Sequence, residues 1–153
     1  MIVVKEFTAE AFQPCAELLV RTFNAPPWND RWTAETANAY LRELVGRQRF
    51  LGFALWEEGA LAGAALCHIK THYEGDEIYI EDLFVAPDRQ GKGHGTALMD
   101  AVEAYADAHE LISVTLLTAK DKPSFRFYKK RGYRQAKSMV FMIKGREWVK
   151  QKP

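Results

Sequence analysis

Two adjacent carboxylates, Glu81 and Asp82, interrupt an otherwise apolar segment running from Ile78 to Val85. Such a segment reads as a buried strand, where an unpaired carboxylate is costly, so the pair points to chemistry more than to packing. A carboxylate facing a cleft can hold a positive charge or take a proton. Successive strand residues face opposite sides, so only one of the two reaches a common cleft unless a bulge intervenes. A second group follows closely: Gln90-Gly91-Lys92-Gly93-His94-Gly95-Thr96 alternates glycine with polar residues. Alternating glycines let a backbone curl until its N–H groups converge on an anion, and a helix behind the loop adds its positive end. This is a phosphate cradle. It is not a Walker loop, which needs a lysine directly after its last glycine. Nor is it a dinucleotide fingerprint, because Leu98 stands where a third small residue is required.

The elements that must carry these groups are readable from periodicity and punctuation. Met1–Phe7 predicts a strand, Thr8–Phe12 a turn, and Pro14 the first position of a helix in which Cys15, Leu18, Leu19, Thr22 and Phe23 recur at helical spacing. Ala25-Pro26-Pro27 ends it. Thr33 caps a second helix, with Ala37, Tyr40, Leu41, Leu44 and Val45 on one face and Gly46 as its stop. Phe50–Trp56 and Leu61–Lys70 form a hairpin around Glu57-Glu58-Gly59, and a polar stretch, Thr71–Asp76, leads to Ile78–Val85. The glycine loop opens a helix lined by Leu98, Val102 and Tyr105. Ile112–Leu117 is then a short strand, Asp121–Arg131 a helix ended by Gly132, and Val140–Ile143 a last strand. This order is mixed α/β with much antiparallel pairing.

With 153 residues, of which 48% are hydrophobic and 27% charged, the chain suits one folded domain. Its net charge of +1 conceals a split: residues 1–119 carry 9 basic and 18 acidic side chains, residues 120–153 carry 12 and 2. Two charged surfaces with different partners are expected. No apolar run reaches the ~18 residues of a membrane helix, and the amino terminus reads as a strand, not as a signal segment. Cys15 and Cys67 form no paired motif and are expected as buried thiols in a cytoplasmic, reducing setting. His68 and His72 lack a third ligand, so no metal is expected. Ser124 lies in no nucleophile elbow.

Gln90-Gly91-Lys92-Gly93-His94-Gly95 resembles the Q/R-x-x-G-x-G/A signature of the Gcn5-related N-acetyltransferase (GNAT) superfamily. The stretch from Asp121 to Tyr128, followed by Gly132-Tyr133, resembles the family's second landmark, N-x-x-A-x-x-x-Y with a glycine-aromatic pair. The resemblance covers nearly the whole chain. It implies a single domain over 1–153 of α/β (α+β) class: a mixed, mostly antiparallel sheet with a splayed central strand pair and flanking helices. It also implies acetyl-CoA as co-substrate. The backbone of Leu83, Phe84 and Val85 would pair with the pantetheine arm, and Gln90, Gly91, Lys92, Gly93, His94, Gly95 and Thr96 would hold the pyrophosphate. Asp121 stands where the family has an asparagine and, when ionised, can accept but not donate. Lys129, Lys130 and Arg131 would lie near the phosphates. Tyr128 matches the tyrosine that faces the thioester sulfur, a proton source for the leaving thiolate.

The stretch Tyr79-Ile80-Glu81-Asp82-Leu83-Phe84-Val85 is similar to the diamine (spermidine/spermine) branch, whose glutamate meets the substrate amine; the histone branch carries its glutamate where Tyr79 stands. Glu81 is therefore the candidate base. Trp28, Asp30 and Trp32, in the loop between the first two helices, would join Glu81 and Asp82 in an acidic, aromatic pocket for a cation. The expected reaction is direct acetyl transfer to a small cationic amine: a polyamine, an aminoglycoside-like amine or a basic amino acid. Acetylation of a protein amino terminus or lysine, or CoA binding without turnover, are the alternatives. Neither nucleic acid nor membrane is an expected partner, and a homodimer is.

Overall fold

The computed structural model describes residues 1–145. They divide into two compact units, one from Met1 to Leu117 and one beginning at Thr118.

The first unit is a five-stranded sheet in the order β1-β2-β3-β4-β5, made of β1 (Ile2–Glu6), β2 (Phe50–Glu57), β3 (Ala60–His72), β4 (Gly75–Val85) and β5 (Ser113–Leu116). The first three pairings are antiparallel and β4–β5 is parallel. A parallel neighbour needs a crossover, which is supplied by the helix α3 (His94–Ala108). The β2–β3 turn is Glu58-Gly59, with φ of 53° and 81°; a two-residue hairpin with both residues left-handed matches the strands' twist, and glycine takes its position without strain. The polar stretch after Lys70 is not a leader loop. It continues the pairing to His72 and Gly75, so β3 and β4 form one long hairpin.

The helices α1 (Ala9–Phe23) and α2 (Ala34–Val45) cover one face. Ala11, Cys15, Leu18, Leu19, Leu41 and Leu44 from these helices share one buried cluster with Ala64, Leu66 and Phe84 of the sheet. Each such leucine contributes about 2 kcal/mol by leaving water. α2 starts as its sequence indicates: the Thr36 amide donates to Thr33 Oγ1 at 3.0 Å and the Thr33 amide to Thr36 Oγ1 at 2.9 Å. α1 starts earlier than its sequence indicates, with Pro14 inside the helix. The ring's fixed φ is helical, but the helix forgoes the bond its N–H would have given the Glu10 carbonyl and must make room for the ring beside that carbonyl. Leu98, Met99 and Val102 of α3 are fully buried as well.

In the second unit α4 (Pro123–Lys130) is ended by Gly132, whose φ is 94°. The strand expected at Val140–Ile143 does not form. These residues and Met139 carry no strand pairing and are 69–81% exposed. A strand exists only where a neighbour takes its N–H and C=O groups, and no described residue does so here.

Candidate active site

The carboxylate pair is arranged by one extra residue in β4. Leu66 of β3 pairs with Asp82 and the next residue, Cys67, pairs with Ile80, so Glu81 is a bulge with no partner of its own. Leu66 belongs to the α1–α2 cluster, and Asp82 therefore points to that face. Glu81 turns to the same side, because its carboxylate accepts from Arg47, just past α2, and lies 3.4 Å from His68 Nδ1. A regular strand would have separated the two acids; the bulge brings them together.

Asp82 Oδ2 accepts a short hydrogen bond from the Tyr40 hydroxyl. Burial pushes its carboxyl up to about 6; the neighbouring charges of Glu81 and Asp30 push the same way, while Tyr40's hydrogen bond works against them. The Tyr40 hydroxyl is itself raised, first by burial and then by Asp82. Burial and the Arg47 charge lower His68, so it stays neutral at pH 7. Three acids and one guanidinium leave this face negative.

The loop after α1 supplies the aromatic wall. Asn24 Nδ2 donates to the Trp32 carbonyl at 2.9 Å, and the Trp32 amide donates back to Asn24 Oδ1 at 2.8 Å. Trp32 Nε1 donates to Asp30 at 3.1 Å, and the Trp32 ring lies 5.1 Å from that of Tyr40. Trp28 reaches Phe84 through Phe23, with ring spacings of 5.7 and 5.4 Å. Trp28, Asp30, Trp32, Glu81 and Asp82 thus share one face of the unit. Tyr40, Asn24, Arg47 and His68 belong with them and were not legible as site residues. Tyr40 reads as core-facing helix, Arg47 as a residue after a stop, and His68 as a histidine without a third metal ligand.

A second feature lies where β4 loses its neighbour. Pairing with β5 covers Glu77–Ile80 opposite Ser113–Leu116, so among the described residues no strand pairs with the edge from Glu81 to Val85 on that side. The Ala86 amide bonds to Ala62 of β3, and the alternation of antiparallel pairing gives the backbone of Phe84 to β3 as well. Leu83 and Val85 turn theirs to the open edge, where Gln90 Nε2 donates to the Val85 carbonyl at 3.1 Å. Of the three expected backbone partners for a pantetheine arm, two face that edge and Phe84 does not.

Beyond it, Gly91 and Gly93 take φ of 78° and 86°, while Gly95 falls inside α3. Among the described residues no side chain caps α3, and its first turn holds no acid, so the amides of that turn suit an anion. The His94 side chain turns away and is 4% exposed, leaving its backbone to the loop; Lys92 and Thr96 are exposed. In the second unit, Asp121 lines a hollow with Lys120, Lys122 and Arg126, and Lys130 is exposed. Tyr128 is buried, its ring edge-on to Phe127 and Tyr133 at 5.1 and 5.7 Å. Among the described residues no cluster of His, Cys, Asp and Glu is able to hold a metal, and no helix is long and apolar enough to cross a membrane.

Residues 12–133 match the model of the acetyltransferase (GNAT) family. The chain belongs to the GNAT acetyltransferase family. It is an acyltransferase that uses acetyl-CoA, and the open β4 edge with the glycine turn fits that co-substrate's amide arm and pyrophosphate. No curated protein matches this acetyltransferase in sequence. Its fold is shared with solved structures. One is an aminoglycoside acetyltransferase from an uncultured soil metagenomic sample, with a TM-score of 0.72, 22% identity, and coverage of 95% of this chain and 99% of that one. Aminoglycoside N-acetyltransferase AAC(6')-Iy in complex with CoA gives 0.75 at 16% identity, covering 94% and 95%. The ribosomal-protein-alanine N-acetyltransferase of Brucella melitensis biovar Abortus 2308 gives 0.75 at 15%, covering 95% and 100%.

Proposed function

We propose that this acetyltransferase moves the acetyl group of acetyl-CoA directly to a primary amine of a small cationic acceptor: a polyamine, an aminoglycoside-like amine or a basic amino acid. The observation that carries this reading is the bulge at Glu81, which sets two carboxylates on one face beside Tyr40, Trp32 and Asp30. An ammonium group is drawn there by charge and by ring faces. Lys70 Nζ, 5.9 Å from the centre of the Tyr79 ring, is an example of such a contact within the chain.

The proton of the bound ammonium goes to the carboxylate pair. Glu81, the base expected from its motif position, accepts from Arg47 through Oε1. Asp82, raised to about 6 mainly by burial, holds its carboxyl close to working pH. We therefore assign the proton to Asp82, with Glu81 holding the acceptor's charge. The freed nitrogen attacks the thioester carbonyl, the C–N bond forms as the C–S bond breaks, Tyr128 gives the departing thiolate its proton, and the proton the nitrogen sheds in becoming an amide returns to the Tyr128 phenolate. Leu83 and Val85 would align the thioester arm, and the amides from Gly91 to Thr96, with Lys92 and Gln90 beside them, would hold the pyrophosphate. Asp121 and Lys130 would flank the rest of CoA. Neither buried cysteine is placed to form an acyl-enzyme: burial pushes both thiols up to about 12.

The family match runs across both compact units, which supports reading 1–153 as one acetyltransferase domain. Two free buried thiols suit a reducing cytoplasm. Pairing with a second copy is supported by the exposed apolar run Met139–Ile143, and light scattering that returns a monomer at working concentration removes it. Thiol release from acetyl-CoA across an amine panel tests the central reading. Turnover with small polycations is expected; turnover only with peptide amino termini or lysines, or none with any amine, overturns it.

A further inference from the structure

The glycine turn has little of its own to hold its shape. A Cβ on Gly91 or Gly93 would meet no described atom within 4 Å, so no neighbour packs against these two glycines, although the Gln90 side chain before them is bonded to the Val85 carbonyl. Its form must then be set at its two ends. Arg89 lies immediately before it, in a 3-10 turn at Pro87–Arg89, and His94 immediately after it, as the first residue of α3. Both side chains bond to the same carboxylate oxygen, Oε1 of Glu57, the last residue of β2. Arg89 Nη1 donates in a short contact and His94 Nε2 donates at 3.0 Å. The junction is built into the structure: the His94 side chain is 4% exposed and that of Glu57 19%. Hydrogen bonding from His94, with the Arg89 bond and charge adding, holds the Glu57 carboxyl below the ordinary range, so it stays an acceptor at neutral pH. Arg89, at the loop's entrance, thus spends its charge on Glu57 and, at 3.6 Å, on Asp88.

We infer that Glu57 is a positioning residue for the phosphate loop, a staple that draws Arg89 and His94 to one point and so fixes the span across which Gln90–Gly93 presents its amides. Glu57 touches neither reacting group; it acts through the loop's two ends, as outer partners orient a binding site. This inference rests on the reading that the loop takes the pyrophosphate of acetyl-CoA. A role in loop shape affects donors that carry a pyrophosphate and spares those that lack one, whereas a general structural role affects both.

The test compares wild type, Glu57→Gln and Glu57→Ala. CoA affinity is measured by calorimetry, donor kinetics with acetyl-CoA and with S-acetylpantetheine, and folding by thermal melting. In Glu57→Ala the Kd for CoA and the KM for acetyl-CoA rise about tenfold, the scale of lost charge-assisted hydrogen bonds. The kcat at saturating acetyl-CoA and the kcat/KM for S-acetylpantetheine stay within about twofold of wild type on that basis. Glu57→Gln keeps the acceptor oxygen and the shape, and loses about threefold on the same scale. Unchanged CoA affinity in both variants, or equal losses with the two donors, overturns the staple. A wild-type chain that binds CoA no better than S-acetylpantetheine overturns instead the reading of the loop.

Discussion

Asp82→Asn separates what the site gains from what it costs. In the folded chain the Asp82 carboxyl is raised from its ordinary 3.8 to about 6, mainly by burial. A group raised on folding contributes stability that is complete below its unfolded pKa and lost as pH rises through its folded one. The size follows from the difference: about 3 kcal/mol between the two limits, at about 1.4 kcal/mol per pH unit. Asparagine does not ionise, keeps the shape, and offers its amide oxygen to the Tyr40 hydroxyl. Below pH ~4 the variant should therefore match wild type. Between pH 4 and 6 it should become progressively more stable relative to wild type, and above pH ~6 the gap should level off near ~3 kcal/mol. Urea unfolding at half-unit pH steps reads this as a midpoint shift at constant slope. Amine turnover should meanwhile fall about a hundredfold or more, because the proton acceptor is gone. A stability difference that stays constant from pH 4 to 8 refutes the reasoning, since a packing defect has no titration.

Tyr40→Phe removes the hydrogen bond that favours ionised Asp82, so the acidic limb of kcat/KM should move to higher pH; a limb that stays in place separates Asp82 from the rate. Gly93→Ala forces a Cβ onto a residue with φ of 86°, which should cost about 1 kcal/mol by chemical denaturation. The same variant should raise the KM for acetyl-CoA while leaving kcat largely intact. Tyr128→Phe should cut kcat about a hundredfold with CoA affinity unchanged by calorimetry, and a kcat within about threefold of wild type would remove the tyrosine as proton donor.

Legibility followed the range of the interactions. The Glu58-Gly59 hairpin, the Thr33 cap and the Gly91 and Gly93 turn are decided by a few neighbouring residues, and each stands where the sequence indicates. Asp82's contact with Tyr40 and Glu81's with Arg47 join residues far apart in the chain. Neither is visible in local spacing, because helix and strand must first be packed together. Pro14 misled because a proline suits the first turn of a helix best but here lies further in, where the helix bears a lost bond and a crowded carbonyl, so it did not mark the start of α1. Val140–Ile143 has the composition of a strand without a neighbour, and composition does not supply one. Glu57 read only as a turn residue, although two side chains from beyond β4 converge on it.

The bulge in β4 also makes one acid separable from the rest of the strand. Ile80 and Asp82 already occupy consecutive places opposite Cys67 and Leu66, so the strand on either side of Glu81 is in register without it. Loss of that single codon would remove one negative charge and leave Asp82, Leu83 and Val85 on the faces they now occupy. Gain of a codon at the same place would restore it. A lineage could thus tune the charge it offers an acceptor by insertion and deletion, a route that would destroy a regular strand.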